Sequence, residues 1–203
     1  MKIMEGVEYL LVKENKTMYM KVIAIDGGPR KAGSTTTLVS HILKGAEKKG
    51  AETEIISLYD LDYSGCRGCL YCKSHNSCKQ DDDMNIVYDK IWDADVILFA
   101  TPVYFAQMTG QLKNCLDRLY ALIDAEYVSR LSAGKKFGVV VTQGDESAPF
   151  CETIKSTIEF TMEFLGIESC GSINANGVHE AADLLRMTDL LAKAEAFGEK
   201  AVS

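Results

Sequence analysis

The sequence predicts a single α/β domain, a doubly wound parallel sheet with helices on both faces. Three observations carry that prediction. Five short, almost continuously apolar runs recur along the chain, the composition of strands buried on both sides. Each is followed by a segment whose apolar residues fall on one helical stripe. The turns from strand to helix gather glycine, hydroxyl and aromatic residues, where such a sheet places its ligands.

Length and composition agree. A chain of 203 residues is long enough to bury a two-sided core without disulfides, and 47% hydrophobic with 25% charged residues is ordinary for a globular domain. No apolar run reaches the eighteen residues of a membrane span. The first residues lack a basic segment followed by a long apolar core, so a secretory leader is not expected and the cytoplasm is. A formal net charge of -7 argues against a nucleic-acid surface.

Residues 1–20 read as an extension, a hairpin or an arm, with two apolar runs around Lys13-Glu14-Asn15-Lys16. The domain proper is expected over 21–203. Lys21–Asp26 is its first strand, and a helix from about Thr36 to Lys49 turns Leu38, Val39, Ile42, Leu43 and Ala46 inward before Gly50. Glu54–Leu58 is the second strand. A cysteine-rich insertion over 63–80 separates it from a helix that Asp82 or Asp83 caps, with Ile86, Val87 and Ile91 inside. Asp95–Ala100 is the third strand, and the helix beyond it aligns Leu112, Cys115, Leu116, Leu119, Leu122 and Ile123. A strand over Lys136–Thr142, a helix over Ala148–Leu165, a strand over Ile167–Ile173 and a helix from about Glu180 complete the alternation. Attention therefore falls on the loops after strands one, three and four.

The first of these loops, Gly27 to Thr37, combines glycines with Ser34, Thr35 and Thr36 at a helix start and with the cations Arg30 and Lys31. Unpaired N–H groups, hydroxyls and positive charge are the parts of a phosphate cradle. Ser34 stands where a Walker A loop needs lysine, and no G-x-G-x-x-G occurs, so a phosphate monoester such as that of a mononucleotide cofactor fits better than a triphosphate or dinucleotide.

Cys66, Cys69, Cys72 and Cys78 follow the spacing C-x2-C-x2-C-x5-C, and Asp81-Asp82-Asp83 follows them. Four thiols so close can hold an iron-sulfur cluster, can hold zinc, or can stand as metal-free thiols. Cys115, Cys151 and Cys170 are isolated and read as small buried hydrophobes. His41, His75 and His179 are scattered and support no triad. Tyr104 and Phe105 could stack on a planar ring or pack as ordinary rim residues. Lys113, Asp117 and Arg118 suit an exposed ion-pair face of a helix.

Three stretches in this order resemble the iron-sulfur flavoproteins of the wider NADPH-dependent FMN reductase family: Gly28-Pro29-Arg30-Lys31-Ala32-Gly33-Ser34-Thr35-Thr36-Thr37-Leu38, the cysteine loop with Asp81-Asp82-Asp83-Met84, and Pro102-Val103-Tyr104-Phe105 through Lys113-Asn114-Cys115-Leu116-Asp117-Arg118. The resemblance runs from about Lys21 to the C-terminus. It implies a flavodoxin-like sheet of strand order 2-1-3-4-5 and FMN as cofactor. The phosphate would lie on Gly28, Arg30, Ser34, Thr35 and Thr36, although Gly28 stands where the family usually carries serine. Pro102, Val103, Tyr104, Phe105, Ala106 and Gln107 would wrap the ring, and Thr142, Gln143, Gly144 and Asp145 would border its other side. Cys66, Cys69, Cys72 and Cys78 would hold a [4Fe-4S] cluster. Electrons would pass between a ferredoxin-like partner and a small-molecule acceptor. A cluster-free NAD(P)H-dependent FMN or quinone reductase and a flavin-binding carrier without enzyme activity are the alternatives. A homodimer or homotetramer is implied, with one subunit's cysteine loop near another's flavin.

Overall fold

The computed structural model describes residues 19–147 and 149–203. The extension expected over 1–20 lies outside them, apart from Tyr19 and Met20, which lead into the sheet. Five strands, β1 (Lys21–Asp26), β2 (Glu52–Ser57), β3 (Val96–Pro102), β4 (Lys136–Thr142) and β5 (Glu168–Ala175), form one parallel sheet of order β2-β1-β3-β4-β5. The predicted sheet and its order are thus present, with boundaries displaced by at most two residues. In register, Asp26 lies beside Ala100 and Pro102 beside Thr142, so the carboxyl ends of β1, β3 and β4 open onto one edge. The order reverses between β1 and β3, the switch point where such sheets bind ligands.

Among the described residues the α-helices are α1 (Ser34–Lys48), α2 (Tyr71–Ser74), α3 (Met84–Asp93), α4 (Gly110–Arg118), α5 (Phe150–Phe164), α6 (Ala181–Leu185) and α7 (Thr188–Ala201), of which the short α2 lies in the cysteine loop. Period-two alternation sends Val96, Leu98 and Ala100 of β3 toward α1 and α7, and Ile97 and Phe99 toward α3, α4 and α5. Both faces are therefore dry. α1 and α7 cross at backbone distance, because a Cβ on Gly45 would fall 1.9 Å from the Glu195 carbonyl oxygen, and one on Gly198 1.8 Å from that of Ile42.

Some details differ from the expectation. On α3 the buried stripe is Met84, Val87, Tyr88 and Ile91, at i, i+3, i+4 and i+7, while Ile86 lies off it and is 45% exposed. The final helix is two: Glu180 caps α6 through a capping box with Asp183, and α7 restarts after Met187. The stripe from Leu112 to Ile123 is buried as predicted, though the helix tightens to 3-10 geometry over Leu119–Leu122. Cys115 and Cys151 are buried; Cys170 is only partly so.

Candidate functional site

At the open edge of the sheet, a cleft is lined by Gly28, Arg30, Ser34 and Thr35 after β1, by Pro102, Val103 and Tyr104 after β3, and by Thr142, Gln143 and Gly144 after β4. Its volume is about 180 Å3. That is smaller than the ~300–1,000 Å3 of most ligand pockets. A phosphate and a short polyol can be enclosed; a larger planar group must extend past the rim.

The inner end of the cleft gathers the groups an anion site needs. Gly33 precedes α1 with extended backbone, no side chain caps the helix, and no acidic residue occupies its first turn. Its positive dipole end and free N–H groups therefore face the cleft. Ser34 Oγ is buried and has no hydrogen-bond partner among the described residues. Leaving a buried hydroxyl unmet costs ~1–3 kcal/mol, which an incoming oxyanion would recover. Thr35 Oγ1 pairs with Thr142 Oγ1 at 2.7 Å, tying α1 to the end of β4. Arg30 is exposed, with Nη2 donating to the His179 carbonyl at 3.3 Å. Lys31 turns away toward Asp60.

Thr36 does not line the cleft. Its Oγ1 donates to Asp26 Oδ2 at 2.6 Å, and Gly28 N donates to Asp26 Oδ1 at 2.7 Å. Asp26, at the end of β1, is thus the buried residue that shapes the loop, and burial holds its carboxyl above the ordinary 3.8 despite those two donors. A Cβ on Gly28 would meet Asp26 Oδ1 at 2.9 Å, so the glycine keeps space for the carboxylate.

Beyond Val103, whose N–H donates to the Thr142 carbonyl, Tyr104 and Gln107 exchange backbone hydrogen bonds of 2.8 and 3.0 Å. The two residues between them, Phe105 and Ala106, both have positive φ (47° and 67°). A two-residue turn of this form is normally built from glycine or asparagine. Here it carries a phenylalanine, fully exposed at the turn's tip beside the half-exposed Tyr104. Phe105, Ala106 and Gln107 adjoin the cleft without lining it, and Asp145 instead accepts from Ser147 N in its own turn.

Val178 and His179 also line the cleft, and sequence reasoning passed over them. They follow β5, outside the three loops singled out. Applying the carboxyl-end rule to the last strand as well would have found them. The His179 ring lies against Gly144 so closely that a Cβ there would come within 2.6 Å of Cε1.

The cysteine loop forms a separate place. Cys66, Cys69, Cys72 and Cys78 line one small cavity of about 30 Å3 with Leu70, Arg118 and Tyr120, the first two cysteines being exposed. Left-handed backbone at Gly68 (φ 61°) and Leu70 (φ 57°) folds the loop around it, and Gly68 N donates to Cys66 Sγ at 3.5 Å. Among the described residues no group of three or more His, Cys, Asp or Glu side chains is set to hold a metal ion. The four thiols nevertheless share one apolar cavity, with a backbone N–H directed at one of the sulfurs. Burial raises the Cys72 thiol above its usual value, with the Lys73 charge opposing.

Side chains hold this loop in place. Lys73 Nζ donates to the Tyr120 and Ile123 carbonyls at 3.0 and 2.7 Å, and Arg130 to those of Ala121 and Cys72 at 2.7 and 2.9 Å. Lys113 and Asp117 form the exposed pair expected of them. Arg118 does not: it is 1% exposed, because it clamps Asp82 with both terminal nitrogens at 2.7 and 2.8 Å and also binds the Ser64 carbonyl. Asp82 is correspondingly held below the usual carboxylate range by the Arg118 hydrogen bonds.

A sheet of order 2-1-3-4-5 with an uncapped helix N-terminus beside a rim of aromatic and amide residues defines a flavodoxin-like binding domain. The chain belongs to the NADPH-dependent FMN reductase family, whose model matches residues 20–153. It is 43% identical over 99 residues to an iron-sulfur flavoprotein of Methanocaldococcus jannaschii, covering 49% of this chain and 51% of that one. The aligned segments span about half the length of the curated relatives matched. Its fold is similar to the NAD(P)H:quinone oxidoreductase from Methanothermobacter marburgensis (TM-score 0.70, 17% identity, 90% of this chain and 96% of that one). It is also similar to an FMN-dependent NADH-azoreductase from Bacillus anthracis in complex with FMN (TM-score 0.67, 16% identity, 91% and 100%).

Proposed function

We propose that the protein is an FMN-dependent oxidoreductase of the iron-sulfur flavoprotein type. Ser34 is the observation that carries this reading: a buried hydroxyl without a partner, at a helix N-terminus free of acidic residues, at the sheet's switch point. A family named for FMN, and a fold neighbour solved with FMN, support the same ligand.

In this reading the first-turn N–H groups of α1, Ser34 Oγ and Arg30 hold the phosphate. Thr35 and Thr142 brace the cradle, and Asp26 fixes Gly28 and Thr36 from below. Pro102, Val103 and Tyr104 border one edge of the ring, Gln143 and Gly144 the other, and Phe105 covers its exposed side against water. The strained turn fits that role, since left-handed Phe105 and Ala106 cost ~1–2 kcal/mol each and such strain concentrates at ligand sites. Bound FMN supplies the exchange between one- and two-electron transfer. Cys66, Cys69, Cys72 and Cys78 hold a [4Fe-4S] cluster, the cavity they share and their donor set being the support. The donor is ferredoxin-like or NAD(P)H, the acceptor a small molecule, and the working form a homodimer or homotetramer. Seven unpaired cysteines suit the reducing cytoplasm.

One observation favours a second reading, a cluster-free NAD(P)H-dependent FMN or quinone reductase: among the described residues no group of three or more potential metal ligands is found. Anaerobic purification followed by iron, acid-labile sulfide and flavin analysis separates the two. The iron-sulfur reading expects roughly four irons and four sulfides per FMN. FMN without iron or sulfide would leave the reductase, and stopped-flow mixing with NADPH should then bleach the flavin rapidly with no ferredoxin present. Flavin that turns over with no acceptor would reduce the protein to a carrier.

A further inference from the structure

Among the described residues that line the cleft, His179 carries the one imidazole, and neither the phosphate cradle nor the border of the ring uses it. Its main chain is fixed on three sides. Val178 N–H donates to the Gln143 carbonyl at 2.9 Å, His179 N–H to Asp183 Oδ2 at 3.0 Å, and the His179 carbonyl accepts from Arg30 Nη2 at 3.3 Å. The imidazole rests on Gly144, where a Cβ would lie 2.8 Å from Nδ1 and 3.5 Å from Nε2. Glycine at 144 thus leaves the imidazole its place beside the cleft that His179 lines with Arg30, Ser34 and Thr35.

Charged groups come from each element around it. Arg30 approaches from the loop after β1, Asp145 and Glu146 follow Gly144 after β4, and Glu180 and Asp183 start α6. The carboxylates have other contacts. Asp183 accepts from the N–H groups of His179 and Glu180 and from Arg186, Glu180 from the first turn of α6, and Asp145 from Ser147 N, while Glu146 packs against Gly177. The hydrogen bonds of His179 itself are made by its backbone. A volume of about 180 Å3 is well under that of a cube with the ~8 Å screening length as its edge, so a charge on one wall acts on an ion inside.

We infer that His179 is a specificity-determining residue for the phosphate end of the ligand: its imidazolium adds to the charge of Arg30 at the wall of the cleft and favours a phosphorylated flavin over the same flavin without phosphate as pH falls. The inference rests on reading the cleft as an FMN site. Imidazole is the side chain whose charge changes between pH 5 and 8, and hydrogen bonds between charged partners are about twice as strong as neutral ones.

The test is an equilibrium titration of the full-length apoprotein with FMN and with riboflavin, read by flavin fluorescence quenching at about pH 6 and about pH 8.5. Comparing His179→Gln with the unsubstituted protein at the same pH cancels the titration of the phosphate itself. The substitution should weaken FMN binding about tenfold at the lower pH and less than threefold at the higher, with riboflavin binding unchanged at both. No loss at the lower pH, an equal loss at both pH values, or an equal loss for riboflavin overturns the inference and leaves the FMN reading standing. Unsubstituted protein that binds FMN no more tightly than riboflavin overturns the phosphate reading and the inference with it. Should His179→Gln not fold, 15N-histidine spectra of the unsubstituted protein at about pH 6 decide. Ring resonances of His179 that shift with FMN and not with riboflavin support the inference; shifts alike for both flavins, or none, overturn it.

Discussion

The cleft at the sheet edge and the cysteine cavity are built by opposite means. The cleft is made mostly of backbone: three strand ends fixed by the regular hydrogen bonding of the sheet, and the uncapped start of α1, tied to β4 by the Thr35–Thr142 hydroxyl pair. The cavity lies in a loop whose single helix, α2, has four residues, and long cationic side chains hold it to its surroundings. A site made by strand ends inherits the rigidity of the core. A site made by straps depends on a few buried charges. Substitutions should therefore act on the cavity through stability and on the cleft through binding.

The largest expected effect is at Asp82. Asp82→Leu leaves the Arg118 guanidinium buried and uncompensated, which should lower unfolding stability by about 3–5 kcal/mol in a urea titration. A loss under 1 kcal/mol would mean that the clamp does not hold the loop. Next is Arg30→Ala, which removes charge from the cleft without touching the core and should weaken FMN affinity by about 1.5–3 kcal/mol, read by flavin fluorescence quenching. Stability should be unchanged; reversal of this pattern would remove the contrast between the two regions.

Asp26 gives a smaller effect with a defined sign. Its carboxyl is raised above 3.8 in the folded protein, so the native state binds the proton more readily than the unfolded chain. The Asp26 contribution to stability therefore falls as pH rises from 3.8 through the raised folded value, and the deficit persists above it. Asp26→Asn should flatten that part of a stability–pH profile. An unaltered profile would show that Asp26 does not titrate there. The smallest effect is Ala106→Gly: removing a left-handed alanine should raise stability by about 0.5–1 kcal/mol, since the strain relieved exceeds the added freedom of the unfolded chain. A lower melting temperature would mean that the turn carries no strain.

The same contrast explains what could be read from the amino acids. The strands, the helices and the place of the α1 loop were legible because they follow from period-two and period-3.6 patterns and from the carboxyl-end rule, while the sheet order and the choice of Pro102 and Gln143, which do line the cleft with Ser34, came from the resemblance. Asp26 was hidden as the last residue of an apolar strand, though it decides where Gly28 and Thr36 point. Arg118 was misread because a spacing of i, i+5 from Lys113 says nothing about the turn that drives it under the loop to Asp82, 36 residues away in sequence. Contacts between elements leave no local period.

The central claim is that the cleft is a phosphate site organised by Ser34 and the start of α1, and a paired equilibrium titration of the apoprotein with FMN and with riboflavin tests it most directly. The account predicts that FMN binds at least a hundredfold more tightly than riboflavin, about 2.7 kcal/mol, and that Ser34→Ala narrows the gap to within about tenfold. Equal affinity for the two flavins, or a gap that Ser34→Ala leaves unchanged, would contradict it.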